Sequence, residues 1–352
     1  MWIEVSRARE VGIVGALLVA SVVGCSGTPE GSPSSIAVDA PATEPIPGDY
    51  GDSASSAPQP GVGGGSTPST SGDPTPCSQI ARAACTRLAQ CGPGLFPAVW
   101  EDDAHCLGAH VERCERVALA AGSSLAAGSA ACQTAIERAS CADLAEDALS
   151  ACSAPGALSD GAACGHGSQC KSGFCPRSES GCGVCTARVV AGGACVRGAC
   201  PTGLACNAAG ACVAPVVKGA ACNALSPCRA TETCSGGVCV AFGAAGAACE
   251  AGGLPKCDAA LGLFCDPVSN VCRALELAPA GQSCGVSVAG RVTTATSCTG
   301  AGQCVGATLA QPGTCVARRR AGEACDATTT GCLTGLECRG GVCAHPDPGA
   351  CK

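Results

Sequence analysis

Residues 195–212 read CVRGACPTGLACNAAGAC, and residues 222–239 read CNALSPCRATETCSGGVC. Each stretch follows a G-x-x-C lead (Gly192 to Cys195, Gly219 to Cys222), places a second and a third cysteine at short intervals, and closes on G-x-C or V-C. The same grammar recurs from Cys164 to the C-terminus with a spacing of 27 to 41 residues between units, which marks an internal repeat. The units hold Cys164, Cys170, Cys175, Cys182 and Cys185; Cys195, Cys200, Cys206 and Cys212; Cys222, Cys228, Cys234 and Cys239; Cys249, Cys257, Cys265 and Cys272; Cys284, Cys298, Cys304 and Cys315; and Cys325, Cys332, Cys338, Cys343 and Cys351.

Such units are too short to stabilise themselves by burial, so each needs its own staples. Two disulfides per unit, each worth about 2–4 kcal/mol by loop-closure entropy, outweigh what Ala and Val can bury. Cysteine is the core here. The first and last units carry a fifth cysteine, Cys182 and Cys351, and spacing does not decide whether these pair with each other, pair elsewhere or stay free. Six repeats are expected at about 158–190, 191–217, 218–245, 246–280, 281–320 and 321–352. Proline-containing junctions such as Ala214-Pro215 and Ala278-Pro279 suggest a stiff, extended rod.

Upstream, residues 77–156 have a helical texture with eight cysteines: Cys77, Cys85, Cys91, Cys106, Cys114, Cys132, Cys141 and Cys152. Thr75-Pro76 supplies an N-cap followed by proline at the first helical position. Cys77, Ile80, Ala84, Leu88 and Cys91 then share a face, and Gly92-Pro93 ends the helix. Further helices are predicted at Glu101 to Leu119, Cys132 to Ser140 and Ala142 to Cys152, giving a small disulfide-stapled bundle.

Residues 25–76 are rich in Ser, Gly, Pro, Ala and Thr, and from Ser26 onward they contain six acidic residues and no Lys or Arg, a composition that cannot pack a core. Residues 1–24 read as a signal segment: Arg7 and Arg9 precede an apolar run, Val11 to Val23, too short to span a bilayer. Its end, Val22-Val23-Gly24-Cys25, resembles the bacterial lipobox, which implies that Cys25 carries a diacylglycerol; plain secretion with Cys25 unmodified is the alternative. Removing Cys25 from the 35 cysteines leaves an even 34. Ser26 lacks the aspartate associated with inner-membrane retention, so the resemblance implies an outer-membrane lipoprotein at the cell surface or periplasmic face.

The composition agrees. Aromatic residues are 2% of the chain, so a large apolar core is excluded, and a tenth of the residues are cysteine, which persists only where thiols are oxidised. The expected class is small and disulfide-rich: a signal and disordered linker, a small stapled helical bundle, then tandem four-Cys repeats with little regular secondary structure.

The run from Cys164 to Cys212, with its C-x5-C-x4-C opening, the Cys182-Gly183-Val184-Cys185 middle and the Cys200-Pro201-Thr202-Gly203-Leu204-Ala205-Cys206 close, resembles the N-terminal cysteine-rich domain of the Dickkopf family. The likeness covers about fifty residues, and Cys200 stands single where that family has adjacent cysteines. It implies a small, disulfide-bonded extracellular fold and no more.

Candidate chemistry is sparse. Cys182 and Cys185 have the spacing of a redox dithiol, or of half a zinc site with Cys175 and His166, although an oxidising compartment favours structural disulfides. The four histidines, His105, His110, His166 and His345, form no metal-binding pair, and no nucleophile motif is present. Phe96 and Trp100 make up the one aromatic cluster, readable as a core plug or as an anchor for a partner. Arg318, Arg319 and Arg320 are a basic run in a chain of net charge −7, readable as a solvated linker or as a contact for an acidic partner. The latter is helped by 14 basic against 11 acidic residues after position 157.

The function expected is therefore non-catalytic: a cell-surface or periplasmic lipoprotein that binds or displays through its repeats. It has no cofactor and no metal, and it contacts the membrane through its lipid and an extracellular protein or glycan, not nucleic acid. A disulfide-rich protease inhibitor, presenting Arg229, Lys256 or Arg339 beside a cysteine, is the alternative. An exported hydrolase or redox enzyme comes third.

Overall fold

A computed structural model of the chain describes residues 75–121, 129–146, 148–152, 155–177, 182–250, 256–289, 292–308, 311–326 and 331–351. The signal segment, Cys25 and the linker up to residue 74 lie outside them. The 34 cysteines after Cys25 are all paired, in 17 disulfides.

The helical part begins as its sequence dictates. Thr75 Oγ1 accepts the Ser78 N–H at 3.2 Å, Pro76 opens helix α1 (Pro76–Cys91), and the Gly92 N–H closes it onto the Leu88 carbonyl. A short helix, α2 (Phe96–Val99), follows and was not predicted. Helices α3 (Asp103–Ala121), α4 (Ser129–Arg138) and α5 (Cys141–Ala145) complete the bundle. The central element is α1, bonded to α3 through Cys77–Cys114 and Cys85–Cys106 and to α5 through Cys91–Cys141. Ile80 and Ala84 on its buried face pack with Ile136, Leu144 and Leu149. The last helix is shorter than predicted. A Ser140/Asp143 capping box starts it, but the chain leaves the helix after Ala145, which lets Leu149 enter the core and Cys152 reach Cys132.

All six repeats share one connectivity. The first cysteine pairs with the third and the second with the fourth, as in Cys195–Cys206 and Cys200–Cys212, or Cys222–Cys234 and Cys228–Cys239. In the first unit Cys164 pairs with Cys175 and Cys170 with Cys185, leaving Cys182 outside the scheme. In five units the third and fourth cysteines face each other across a small antiparallel strand pair: Cys206 and Cys212, Cys234 and Cys239, Cys265 and Cys272, Cys304 and Cys315, Cys338 and Cys343.

The G-x-x-C lead now has a physical reason. Its glycine (Gly161, Gly192, Gly219, Gly246, Gly281 or Gly322) adopts φ between 80° and 89° and donates its N–H to the carbonyl of the fourth cysteine of its own unit. The fourth cysteine returns its N–H to the next residue's carbonyl, so the lead is hydrogen-bonded to the hairpin before the first disulfide is counted. Side-chain-bearing residues avoid this φ, hence the invariant spacing.

The rod expectation is overturned. The segments taken as linkers are paired: Val216 bridges Cys228, Gly243 bridges Cys257 and Arg319 bridges Cys332, each in parallel, and Ala278 ends a strand paired in parallel with Val292–Cys298. That strand belongs to a five-stranded sheet, the largest among the described residues. The repeats also dock on the helices. Gly94 and Leu95 donate to the Ala260 carbonyl, Gly300 donates to Pro97 and Ala301 to Ala98, and Cys182 is bonded to Cys351. The chain therefore wraps its repeats about the bundle and closes its last unit on its first. Backbone groups at the ends of α2 and in the turns of repeats 4 and 5 satisfy each other, which a free rod would leave to water.

Candidate functional site

Some of the residues singled out from the sequence lie on the seam where α2 and α3 meet the repeats, and others do not. Trp100 is 6% exposed, packed with Val99, Cys85 and Cys106, and Phe96 lies against the same cluster. The pair is a core plug, and the anchor reading is corrected for Trp100: a side chain so enclosed has no surface to offer. His105 meets the Trp100 ring edge-on at 5.2 Å and His110 meets it tilted at 5.3 Å. Five-residue spacing puts these histidines on different sides of α3, and the indole fits between them. Spacing alone could not reveal this, because the third partner comes from another element.

The basic run is not a solvated linker either. Arg318 is half-buried and donates from Nε to the Ala301 carbonyl, and burial lowers its guanidinium below the usual range. Arg320 holds the Glu101 carboxylate through one nitrogen at 2.8 and 2.9 Å. Arg319 is exposed and lends its backbone to the bridge with Cys332. Arg318 thus closes repeat 5 on itself and Arg320, although exposed, ties it to Glu101, while the Arg319 side chain is exposed.

Arg229 is similarly spent. Its guanidinium reaches Asp143 at 2.6 Å and Glu146 at 2.8 Å, while Glu146 also accepts the Ala230 N–H at 2.8 Å. Hydrogen bonds from Glu146 and then Asp143 raise the arginine further above its ordinary value, and bonds from Ser140 and Arg229 lower the Asp143 carboxyl. An arginine committed to two carboxylates cannot enter a protease cleft. Arg339 ends a strand of a tight hairpin, paired with Val342, and its Nε lies 3.0 Å from Glu337. Lys256 is exposed, and its carbonyl accepts the Gly243 N–H.

Cys182 and Cys185 are not bonded to each other; their partners are Cys351 and Cys170. The redox-dithiol arrangement is therefore absent at this motif. Sulfurs cluster elsewhere too, for instance Cys164, Cys170 and Cys185, but a disulfide sulfur is no thiolate ligand. His166, the proposed fourth ligand, caps a turn instead: its Nδ1 accepts the Ser168 N–H at 3.2 Å and lies 2.8 Å from Ser168 Oγ. This Ser–His contact lacks a catalytic environment. Burial first, then Arg113 and Arg177, press the imidazole well below its usual pKa, whereas a general base needs an acid facing its ring.

What the seam does is hold. Gln169, in the turn His166 caps, accepts the Gly165 and His166 N–H groups through Oε1, while its Nε2 donates to Ala120 at the end of α3 and to Pro348 in the last repeat. Thr334 Oγ1 donates to the Val99 carbonyl at 2.9 Å. A cross-link through a buried glutamine leaves no sequence signature.

No helix among the described residues is long and apolar enough to cross a membrane. Compared with protein-family models, with curated proteins and with solved structures, the chain matches none.

Proposed function

We propose that this chain is a non-catalytic outer-membrane lipoprotein: an acyl group on Cys25 anchors it, the acidic linker lifts it clear of the surface, and the wrapped repeats present a binding or display surface to an extracellular protein or glycan. The observation that carries the reading is how the reactive side chains are used. Every cysteine after Cys25 is in a disulfide, and Arg229, Arg320 and Gln169 are spent on joining units. What remains outward is a series of hairpin turns on a covalently fixed frame, such as Gly236 to Val238 and Arg339 to Val342. Rigid frames with variable turns suit recognition, because little conformational entropy is lost on binding.

The density of disulfides supports export, since 17 such bonds form and persist in oxidising compartments. Palmitate labelling tests the anchor: the chain should label and partition into detergent, and Cys25→Ala should lose both. Unchanged membrane association in that variant would remove the lipid from the account. A protease panel tests the rest. The full chain should inhibit no serine protease at stoichiometric concentration, and inhibition abolished by Lys256→Ala would put the inhibitor reading in its place.

A further inference from the structure

We propose that the seam between α3 and the two terminal repeats is an acid-sensitive latch: on acidification its histidines take up protons and the terminal repeats loosen from the helix, while the Cys182–Cys351 bond keeps them joined to each other. The chain has four histidines, none in repeats 2 to 5; His105, His166 and His345 lie on this seam, and His110 sits on another side of α3 against Trp100. Along α3, His105, Ala109, Glu112, Arg116 and Ala120 recur at intervals of three and four residues, so they share one face. That face meets the ends of the wrapped chain. Ala109 packs against Gly335, Glu112 and Arg116 lie near His345, and Ala120 accepts from Gln169.

The neutral rings do work that the charged rings cannot. His105 Nδ1 accepts the Glu101 N–H at 3.2 Å at the start of α3, while the ring's bond to the Thr334 backbone in the last repeat favours the charged form and is kept on protonation. Protonation turns that Nδ1 into a second donor facing an N–H. His166 Nδ1 accepts the Ser168 N–H, and protonation removes the cap of the turn that holds Gln169 against Ala120 and Pro348. His110 lies against Trp100 and near Arg113, so a charge there adds a like-charge neighbour.

The charged groups that face each ring are mixed at the rim and positive inside. Glu101 and Asp102 favour a charge on His105 and Arg320 opposes it; Glu112 favours one on His345 and Arg116 opposes it; among the described residues Arg113 and Arg177 oppose one on His166. Burial is the largest influence on all four and lowers each, His110 to about 4. A histidine whose folded pKa lies below its unfolded value binds fewer protons in the closed state. Closure is therefore unaffected above about pH 6.5 and is progressively disfavoured as pH falls below it. Stapled repeats without histidine feel none of this, so the response is confined to the seam.

The test uses the full chain carrying Trp2→Phe, so that Trp100 is the single indole. Fluorescence and amide exchange, corrected for intrinsic rates, are followed from about pH 7.5 to about pH 4. Trp100 emission should fall reversibly as imidazolium forms beside it, and protection at residues 165–170 and 332–350 should drop about tenfold or more while residues 232–241 keep theirs. A double variant, His105→Gln with His166→Asn, retains acceptors that cannot titrate and should flatten the exchange response. Should that variant not fold, imidazole NMR titration of the Trp2→Phe chain decides, with ring titrations below about pH 6.5 expected to coincide with the loss of protection. Protection that is independent of pH, lost equally in all repeats or unchanged by the double variant would overturn the proposal, as would rings that titrate near 6.5 with the seam closed.

Discussion

Cys182 and Cys351 are 169 residues apart in the chain, yet their Cα atoms lie 5.5 Å apart across a disulfide. This bond is the one that lies outside the two-staple pattern of the repeats, and it converts a linear series of units into a closed one. Its loop contains every other repeat, whose own cross-links already shorten the effective chain, so its entropic worth is less than the open-chain value for so long a loop.

Replacing both residues, Cys182→Ser with Cys351→Ser, should therefore leave the remaining 16 disulfides in place and release only the ends. Protection from exchange should fall at residues 345–351 and around Gln169, with the hairpins of repeats 3 and 4 unaffected. Loss of protection throughout the repeats would show that the closure bond supports far more than the seam.

Arg229 ties repeat 3 to the bundle, and its side chain is 24% exposed, so the ion pairs are screened less than open surface pairs. Arg229→Ala should cost about 1–2 kcal/mol in thermal unfolding, and Arg229→Lys should recover little of it, because a point charge cannot hold two carboxylates in fork geometry. A melt unchanged by either substitution would make the contact incidental.

Much of this was legible in the sequence, and the boundary is physical. Helix α1 announced itself through Thr75, Pro76 and Gly92 because capping is local, and the repeats announced themselves because each turn needs its glycine at a fixed distance from a cysteine. The uniform first-to-third, second-to-fourth pairing was hidden, since spacing alone allows three pairings of four cysteines. Docking was hidden more deeply. Arg318 and Arg320 have the same appearance in sequence whether they face water or clamp Ala301 and Glu101, and Ala278-Pro279 reads as a stiff junction between units although Ala278 is buried in a sheet. The burial of Trp100 between two histidines depends on where α2 turns, which follows from contacts with repeats far along the chain.

Gly219 has φ 85°, and a Cβ there would meet nothing within 4 Å, so an alanine would pay only backbone strain. Gly219→Ala should destabilise repeat 3 by about 1–2 kcal/mol, and Gly192→Ala, Gly246→Ala and Gly322→Ala should do the same in their own units. Unit-by-unit amide exchange reads this directly, and costs that differ widely among the four would mean the leads are not equivalent.

Asp266 is fully buried at the turn of repeat 4, where it accepts from Val268 N–H and Ser269 Oγ and pairs with Arg273 at 2.9 Å. Burial pushes its carboxyl up, but bonds from Ser269, Thr293 and Val268 outweigh this and hold it well below the usual range. A depressed carboxyl contributes stability that is fully present above about pH 4 and is lost as pH falls below it. Asp266→Asn should cost repeat 4 about 1–3 kcal/mol at neutral pH and remove that acid dependence. Retention of the same acid profile in the variant would assign the dependence to another group.

Disulfide mapping under non-reducing conditions tests the closed, doubly stapled architecture most directly. Alkylation without reduction should add no mass to the folded domain, and reduction first should expose 34 thiols. Digestion should yield first-to-third and second-to-fourth pairs in every repeat and a peptide joining Cys182 to Cys351. A Cys182–Cys185 bond, adjacent-cysteine pairing within the repeats, or free thiols in stoichiometric amount would contradict it.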